Sequence, residues 1–242
     1  MKLYSQSDIG LIRQSNQDYC MTGYFPDGAA WAIVCDGMGG ANGGSTASHV
    51  ATESIAETLT TGYREDMTGT EISNLMKLAV DYANKSVYEM SRYVSGLEGM
   101  GTTVVCVIAK DERLHVVHAG DSRAYLFTGD SIRQITTDHS IVQELVSAGQ
   151  LTKEQARIHQ NRNLITRALG TEPKLVTDYN TVEFKDGAKV IVCTDGMSNY
   201  ITDESLLEFI RSNDCEKLPD MLIQKAKELG GSDNITVAVI SS

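Results

Sequence analysis

Two stretches of the sequence end in almost the same way. IVCDGMGG covers residues 33 to 40, and its near copy VIVCTDGMSN covers residues 190 to 199. Apolar runs of this length, bounded by glycine, are typical of strands that are buried on both faces. Each predicted strand would therefore bring one carboxylate, Asp36 or Asp195, to its end.

Two further aspartates lie at the ends of predicted strands. Asp121 follows the run LHVVHAG, and Asp233 precedes the final run ITVAV. Carboxylate and carbonyl oxygens are the ligands that Mg²⁺ and Mn²⁺ prefer, and Gly37 would let the backbone carbonyl beside Asp36 turn towards the same ion. One such aspartate is typical of an ordinary turn. Four of them together indicate a site for divalent cations.

Other chemistries are less well supported by the sequence. The segment GMGGANGG resembles a dinucleotide-binding turn, but a fingerprint that starts at Gly37 needs a third glycine at position 42, where Asn42 stands. The sequence has no H-E-x-x-H, no Cys/His ligand spacing and no calcium-loop motif. It also has no C-x5-R signature and no convincing Ser/His/Asp set for covalent catalysis.

Composition predicts one globular domain, residues 1–242, with 41% hydrophobic and 22% charged residues. The net charge of −11 disfavours a nucleic-acid partner. No segment approaches the roughly 18 apolar residues of a membrane-spanning helix. The five cysteines are odd in number and form no C-x-x-C pair, which indicates a reducing compartment. We expect a cytoplasmic protein that acts as a monomer.

Hydrophobic periodicity predicts a protein rich in strands, with helices between them. Strands are predicted at residues 29–35, 103–109, 113–119, 123–128, 188–194 and 235–241, and weaker ones at 2–6, 18–24 and 176–184. Helices are predicted through residues 47–59, 72–94, 203–211 and 216–229. The link at Lys110-Asp111-Glu112 is too short for a parallel crossover, so the sheet there should be antiparallel. The polar, partly helical stretch 141–169 is predicted to form a surface flap.

Seven short motifs occur in a fixed order along residues 13 to 236. They are RQSNQD at 13–18, DGMGG at 36–40, GTT at 101–103, GDSR at 120–123, DHS at 138–140, TDG at 194–196 and DNIT at 233–236. In these motifs the chain resembles the PP2C (PPM) family of metal-dependent protein serine/threonine phosphatases, above all its short bacterial members. The resemblance implies an α+β fold, an α-β-β-α sandwich of two antiparallel sheets flanked by helix layers.

The resemblance also assigns ligands to the metal site. It implies that Asp36 bridges two Mg²⁺ or Mn²⁺ ions and that the Gly37 carbonyl binds one of them. Asp195 and Asp233 would hold the other ion. Asp121, together with Asp195, would hold a third and weaker ion.

Three further residues receive roles from the resemblance. Arg13 would bind the substrate phosphate through its guanidinium fork, while Asn16 and Asp18 would orient metal-bound water. The chain departs from the family pattern at two positions. Met38 stands where eukaryotic members have a histidine that is proposed as the general acid, and Gln17 stands where the family has an acidic residue. The sequence therefore names no proton donor.

The implied reaction is hydrolysis of phosphoserine and phosphothreonine by direct attack of a water that bridges two cations and has a lowered pKa. The implied substrates are phosphorylated proteins, and a bacterial Ser/Thr protein kinase would be the opposing enzyme. Two alternatives stay open: a catalytically weak module that binds phosphoproteins, and a metallophosphatase that acts on small metabolites. The complete set of expected metal ligands favours the protein phosphatase.

Overall fold

A computed structural model describes residues 1–129 and 131–242. Its strands are β1 (Lys2–Asp8), β2 (Asp18–Tyr24), β3 (Ala30–Met38), β4 (Gly101–Thr102), β5 (Val104–Lys110), β6 (Arg113–Ala119), β7 (Arg123–Thr128), β8 (Ser131–Gln134), β9 (Asp178–Glu183), β10 (Lys189–Cys193) and β11 (Ile235–Ser241). They form two sheets. The first has the order β1-β11-β10-β7-β8, and the second has the order β2-β3-β5-β6-β9 with β4 paired to β3. Neighbouring strands in both sheets are antiparallel.

The described residues form seven helices. They are α1 (Gly40–Gly62), α2 (Gly69–Tyr93), α3 (Ile141–Ser147), α4 (Lys153–Arg157), α5 (Asp195–Ser198), α6 (Asp203–Ser212) and α7 (Leu218–Glu228). A capping box starts α2: the Thr68 hydroxyl accepts the Glu71 amide, and the Glu71 carboxylate accepts the Thr68 amide. Such caps bind amides that have no partner within the helix.

Three apolar clusters define the layers. One lies between α1, α2 and the second sheet, one lies between the two sheets, and one lies between the first sheet and α5–α7. Strand β3 belongs to two of them, because Ile33 and Cys35 face the helices while Ala32 and Val34 face the other sheet. This alternation is the two-residue period of a strand. The α-β-β-α sandwich expected from the sequence is confirmed.

The predicted elements agree with the structure over most of the chain, with three differences. Asp36 lies inside β3, which continues to Met38, and so it does not end the strand as predicted. Asp195 is the first residue of the short helix α5. Strands β4 and β8 were not predicted, because two and four residues are too few to show a period.

The flap segment 141–169 contains α3 and α4 and few buried apolar side chains, as predicted. Cys35, Cys106 and Cys193 are buried free thiols in strands. Within residues 1–129 and 131–242, no helix has the length and apolar character that crossing a bilayer requires.

Candidate metal centre

The interface between the two sheets changes from apolar to polar at one end. Along β3, Ala32 and Val34 face the other sheet, and the two-residue period places Asp36 next on the same face. On the neighbouring strand β2, Asp18 pairs with Asp36 in the antiparallel register. Regular strands, rather than loops, therefore carry these two carboxylates into the end of the interface.

Asp18 is buried and connects the two sheets. Its Oδ2 accepts hydrogen bonds from the hydroxyls of Thr194, at 2.8 Å, and Thr236, at 2.7 Å. Thr194 follows β10 and Thr236 lies in β11, and both of these strands belong to the first sheet. Its Oδ1 is buried without a partner among the described residues. Burial raises the pKa of Asp18 to about 7, although the two threonine hydrogen bonds oppose the shift. This carboxylate has the capacity for one more hydrogen bond or a cation.

Asp36 is fixed through its backbone by the GTT motif. Its amide donates to Thr103 Oγ1 at 2.9 Å, and its carbonyl accepts the Thr103 amide and the Thr102 hydroxyl, both at 2.9 Å. Burial raises the pKa of Asp36 well above its usual range, and the neighbouring carboxylates Asp18 and Asp195 raise it further. The strand thus holds a carboxylate where negative charge is unfavourable without a cation.

Asp195 approaches from the first sheet. Its Oδ2 accepts a hydrogen bond from Asn199 Nδ2 at 3.0 Å, whereas Oδ1 is buried without a partner among the described residues. Burial and then Asp233 raise the pKa of Asp195. The next residue, Gly196, packs so closely on the Asn234 carbonyl that any Cβ there would collide with it. A side chain at position 196 would therefore push α5 away from the centre.

Asp121 and Asp233 complete the acidic group. Burial and then Asp195 raise the pKa of Asp121 to about 8. Asp233 accepts a hydrogen bond from Arg13 Nη2 at 2.8 Å, and the two side chains are 30% and 51% exposed respectively. Arg13 can therefore leave this ion pair for a ligand at little cost in buried contacts.

These side chains meet in an open cleft of about 530 Å³. Six of the predicted site residues line it: Arg13, Asp36, Gly37, Asp121, Asp195 and Asp233. The other two lie behind it. Asp18 is in the interface, and Asn16 accepts the Asp18 amide at 3.1 Å and donates to Ser7 Oγ at 2.8 Å. Among the residues that the structure describes, Arg13 is the only lysine or arginine in the cleft wall.

Several supporting residues were not predicted as part of the site. Asn234 accepts the Gln17 amide at 2.8 Å and donates to the carbonyls of Ile9 and Ser15, at 2.9 and 3.0 Å. It therefore fixes the loop that carries Arg13. Thr194 and Thr236 hold Asp18 in the same way. All three lie inside the recognised motifs, which was the available signal, but they have no charge to mark them as ligands.

Gln17 and Gly37 explain how α1 starts beside the cleft. Gln17 Nε2 donates to the Gly40 carbonyl at 2.9 Å, and the Gln17 carbonyl accepts the Gly37 amide at 3.1 Å. A Cβ at Gly37 would collide with the Gly44 carbonyl. The glycine is thus needed for the close approach of β3 to the first turn of α1.

A second cluster of possible ligands lies outside the cleft. Side-chain atoms of His118, His139 and Asp178 lie within 4.8 Å of one another. However, Arg167 Nη1 is 2.9 Å from Asp178 Oδ1 and 3.1 Å from His139 Nε2. His139 Nδ1 also accepts the Gly120 amide at 3.2 Å. A guanidinium already provides positive charge here, so this cluster fits a cation less well than the cleft does.

The donor set of the cleft suits hard divalent cations. It consists of carboxylates. Two carboxylate oxygens, Asp195 Oδ1 in the cleft and Asp18 Oδ1 behind it, are buried without a partner among the described residues. Carboxylate oxygens are the ligands of Mg²⁺ and Mn²⁺. The acidic cleft at the end of a two-sheet interface is typical of the class of proteins that bind divalent cations for their function.

Comparison with known proteins agrees with this class. The family model of protein phosphatase 2C matches residues 13–219. The chain belongs to this family. A serine/threonine phosphatase, stp, of Listeria innocua is 34% identical to it over 239 residues, which are 97% of this chain and 93% of that protein.

Solved structures of bacterial phosphatases have the same fold. The serine/threonine phosphatase of S. agalactiae superposes with a TM-score of 0.92 at 30% identity, covering 100% of this chain and 99% of that one. The catalytic domain of PstP in complex with two manganese ions superposes with a TM-score of 0.86 at 32% identity, covering 98% and 96%. The predicted family, the fold and the class of phosphatase are confirmed.

Proposed function

We propose that this chain hydrolyses phosphoserine and phosphothreonine in proteins, using divalent cations bound in the cleft. The observation that carries the proposal is the group of four carboxylates, Asp36, Asp121, Asp195 and Asp233, that converge on one cleft beside Arg13. The names of the relatives, which are serine/threonine phosphatases, support the substrate class. The two manganese ions of PstP support a two-metal site.

The residues present fit such ions, and we assign them as follows. Asp36 would be shared by two Mn²⁺ or Mg²⁺ ions, with the Gly37 carbonyl on one of them and Asp195 and Asp233 on the other. Asp121, with Asp195, would hold a third and weaker ion. When bound, the cations would supply a water of lowered pKa as nucleophile and would neutralise charge on the phosphoryl oxygens.

Asp18 and Asn16 would orient water at the centre. The two threonine hydroxyls fix Oδ2 of Asp18, which leaves Oδ1 free to accept a hydrogen bond from a water. Asn16 fixes the Asp18 backbone. Because nearby cations favour the ionised form of a carboxylate, the pKa of Asp18 would fall below about 7 when they bind.

Arg13 would hold the substrate phosphate at the mouth of the cleft. Its guanidinium presents parallel N–H groups that match two phosphate oxygens, and half of its side chain is exposed. Binding would replace the hydrogen bond to Asp233 and leave that carboxylate for a cation. Met38 lines the same cleft, and its thioether has no proton to give. Met38 therefore cannot protonate the leaving alkoxide.

The biological setting is part of the same proposal. Residues 1–242 would form one catalytic domain, because the family motifs extend from residue 13 to residue 236 and both sheets contribute ligands. We propose a cytoplasmic monomer that opposes a Ser/Thr protein kinase and acts on that kinase's phosphorylated targets. The cysteines are unpaired thiols, which suits a reducing compartment.

The test is hydrolysis of a phosphothreonine peptide by metal-stripped protein, with and without added Mn²⁺ or Mg²⁺. Asp195→Ala removes a ligand, and Asp186→Ala changes an exposed turn residue as a matched control. We expect metal-dependent turnover in the wild type and the control but not in Asp195→Ala. Binding of the peptide without turnover would instead indicate a phosphoprotein-binding module. Turnover of small phosphate esters alone would indicate a metabolite phosphatase.

A further inference from the structure

A second cavity lies at the far end of the second sheet. It is a groove of about 570 Å³ between the first turns of α2 and strands β6 and β9. Lys77, Lys110 and Arg113 line it, and Asp111 is the only carboxylate in its wall among the described residues. The described wall of this groove therefore has more cations than carboxylates, although the chain as a whole has a net charge of −11.

Two of the three cations are available to a ligand. Lys110 is not, because its Nζ donates to Asp27 Oδ2 at 2.7 Å and to the Glu65 carbonyl at 2.9 Å. Lys77 is exposed, and its Nζ lies 5.0 Å from the centre of the Tyr179 ring. Arg113 is exposed and forms no ion pair within 4.0 Å in the part of the chain that the structure describes. Its cross-strand neighbour Glu183 pairs with Lys185 instead.

His115 adds a buried donor to the same wall. The side chain is only 4% exposed, and Nδ1 lies 2.6 Å from the Tyr179 hydroxyl. The Tyr179 hydroxyl can donate this hydrogen bond to Nδ1. In that tautomer Nε2 carries the proton, and it has no partner among the described residues. Burial, and then Arg113, lower the pKa of His115, which favours the neutral form of the ring.

We propose that this groove binds a small anion that carries a phosphate group. The available groups on its polar side are donors: the His115 Nε2–H, the Lys77 ammonium and the Arg113 guanidinium. Gly69 and Thr70 add helix N-terminal amides, which have no intrahelical partner. Gly69 also lets the imidazole approach α2, because a Cβ there would lie 3.3 Å from His115 Cε1.

The size and place of the groove separate it from the metal cleft. Its volume is in the range of small-molecule sites and exceeds what phosphate alone would fill. Ile72 and the Tyr179 ring provide an apolar wall for an organic part of the ligand. Five residues of extended chain, about 17 Å, separate His115 from Gly120 at the cleft end of the sheet. Ligands can therefore bind to the groove and the cleft independently.

Amide and imidazole NMR spectra of the full Mg²⁺-loaded protein test the proposal. Inorganic phosphate and adenosine 5′-monophosphate serve as probes, with KCl at equal ionic strength as the control for screening. We expect saturable shifts at Gly69, His115 and Tyr179. A Lys77→Glu/Arg113→Glu variant should bind about tenfold more weakly or not at all. The matched control is Lys85→Glu, which reverses an exposed lysine on the same helix.

The pattern of chemical shifts distinguishes binding in the groove from binding elsewhere. Groove shifts with phosphate alone would show that the anion suffices, and tighter binding of the nucleotide would show that the apolar wall contributes. Either result supports the proposal. Shifts confined to the cleft around Arg13, equal shifts with KCl, or equal binding by the wild type and the double variant would overturn it. A failed phosphatase assay would leave this test unaffected, because the groove contains no residue of the cleft.

Discussion

The two ends of the second sheet use buried charge in opposite ways. At the cleft end, Asp36 and Asp121 are crowded with other carboxylates, and the pKa values of both are raised. At the other end, Lys110 and Asp27 form an ion pair of 2.7 Å with side chains only 8% and 16% exposed, and the pKa of Asp27 is lowered. The protein itself balances the second pair. The first group is balanced only when a ligand brings positive charge.

This difference separates structural charge from functional charge. A matched pair contributes to the stability of the fold, and breaking it should lower stability without affecting the reaction. An unmatched cluster is a cost to the folded protein, which is accepted because the cluster binds something. Substitutions at the two ends should therefore have opposite effects on stability and on activity.

The largest effect is expected for Asp36→Asn. The variant loses the carboxylate that two cations would share, and loss of several kcal/mol of charge stabilisation corresponds to about a thousandfold in rate. The metal-free variant should nevertheless unfold at a higher temperature than metal-free wild type, because a buried like-charge interaction is removed. Peptide hydrolysis and a thermal melt measure the two effects. Unchanged activity would show that Asp36 is not a ligand.

Asp27→Asn should have the opposite result. The substitution removes the charge partner at 2.7 Å from Lys110 and leaves it with the more distant, exposed Asp111 at 3.5 Å and the Glu65 carbonyl, which costs about 2 kcal/mol. Urea unfolding of the metal-free protein measures this loss. The metal-loaded variant should keep wild-type kcat at a temperature where it is folded, since the substituted residue is far from the cleft. A fall in kcat without a fall in stability would contradict the comparison.

Arg13→Lys should have a smaller effect on the reaction. The charge is kept, but the planar fork that can bind two phosphate oxygens is lost. We expect KM for a phosphopeptide to rise about tenfold, while metal binding is unchanged. Steady-state kinetics at saturating Mn²⁺ provides the measurement. Equal KM values for variant and wild type would show that Arg13 does not contact the substrate.

Stability should also depend on pH. The folded-state pKa values of Asp18 and Asp121, about 7 and about 8, lie above the ordinary value of 3.8. The folded protein therefore binds protons more tightly than the unfolded chain. The resulting stabilisation is complete below the unfolded pKa and is lost as the pH rises through about 7 and 8.

Thermal melts should show this loss in metal-free protein between about pH 5 and pH 8. Added Mg²⁺ should raise the melting temperature more at the upper end of that range, because cations bind the ionised carboxylates. A melting temperature that rises with pH without metal would contradict the assigned environment of the cluster. The Asp36→Asn variant should show a weaker dependence.

Local patterns were sufficient to predict most of the fold. Long apolar runs were sufficient to predict the strands β3 and β10. Long helical periodicities were sufficient to predict α1 and α2. Asp36 was predicted at the end of its strand but lies inside β3. The strand continues through this polar residue because pairing with the neighbouring strands β2 and β4 continues in register. That register depends on residues far away in the chain, and no local pattern contains it.

The supporting contacts of the site were harder to predict than its carboxylates. An aspartate beside a glycine can be recognised in the sequence, but the hydrogen bond from Thr236 to Asp18 joins residues that are 218 positions apart. Asn234 reaches three separate backbone positions in the same way. The groove was not predicted either, because Lys77, His115 and Tyr179 belong to three different elements and share no motif.

The central claim is that the carboxylates of the cleft hold divalent cations. Anomalous diffraction from crystals grown with Mn²⁺ tests it most directly, because the manganese signal locates each ion without reference to activity. We predict two strong peaks in the cleft, one on each side of Asp36, with Asp195 and Asp233 on one of them. Strong peaks only at His118, His139 and Asp178, or no peak beside Asp36, would contradict the account.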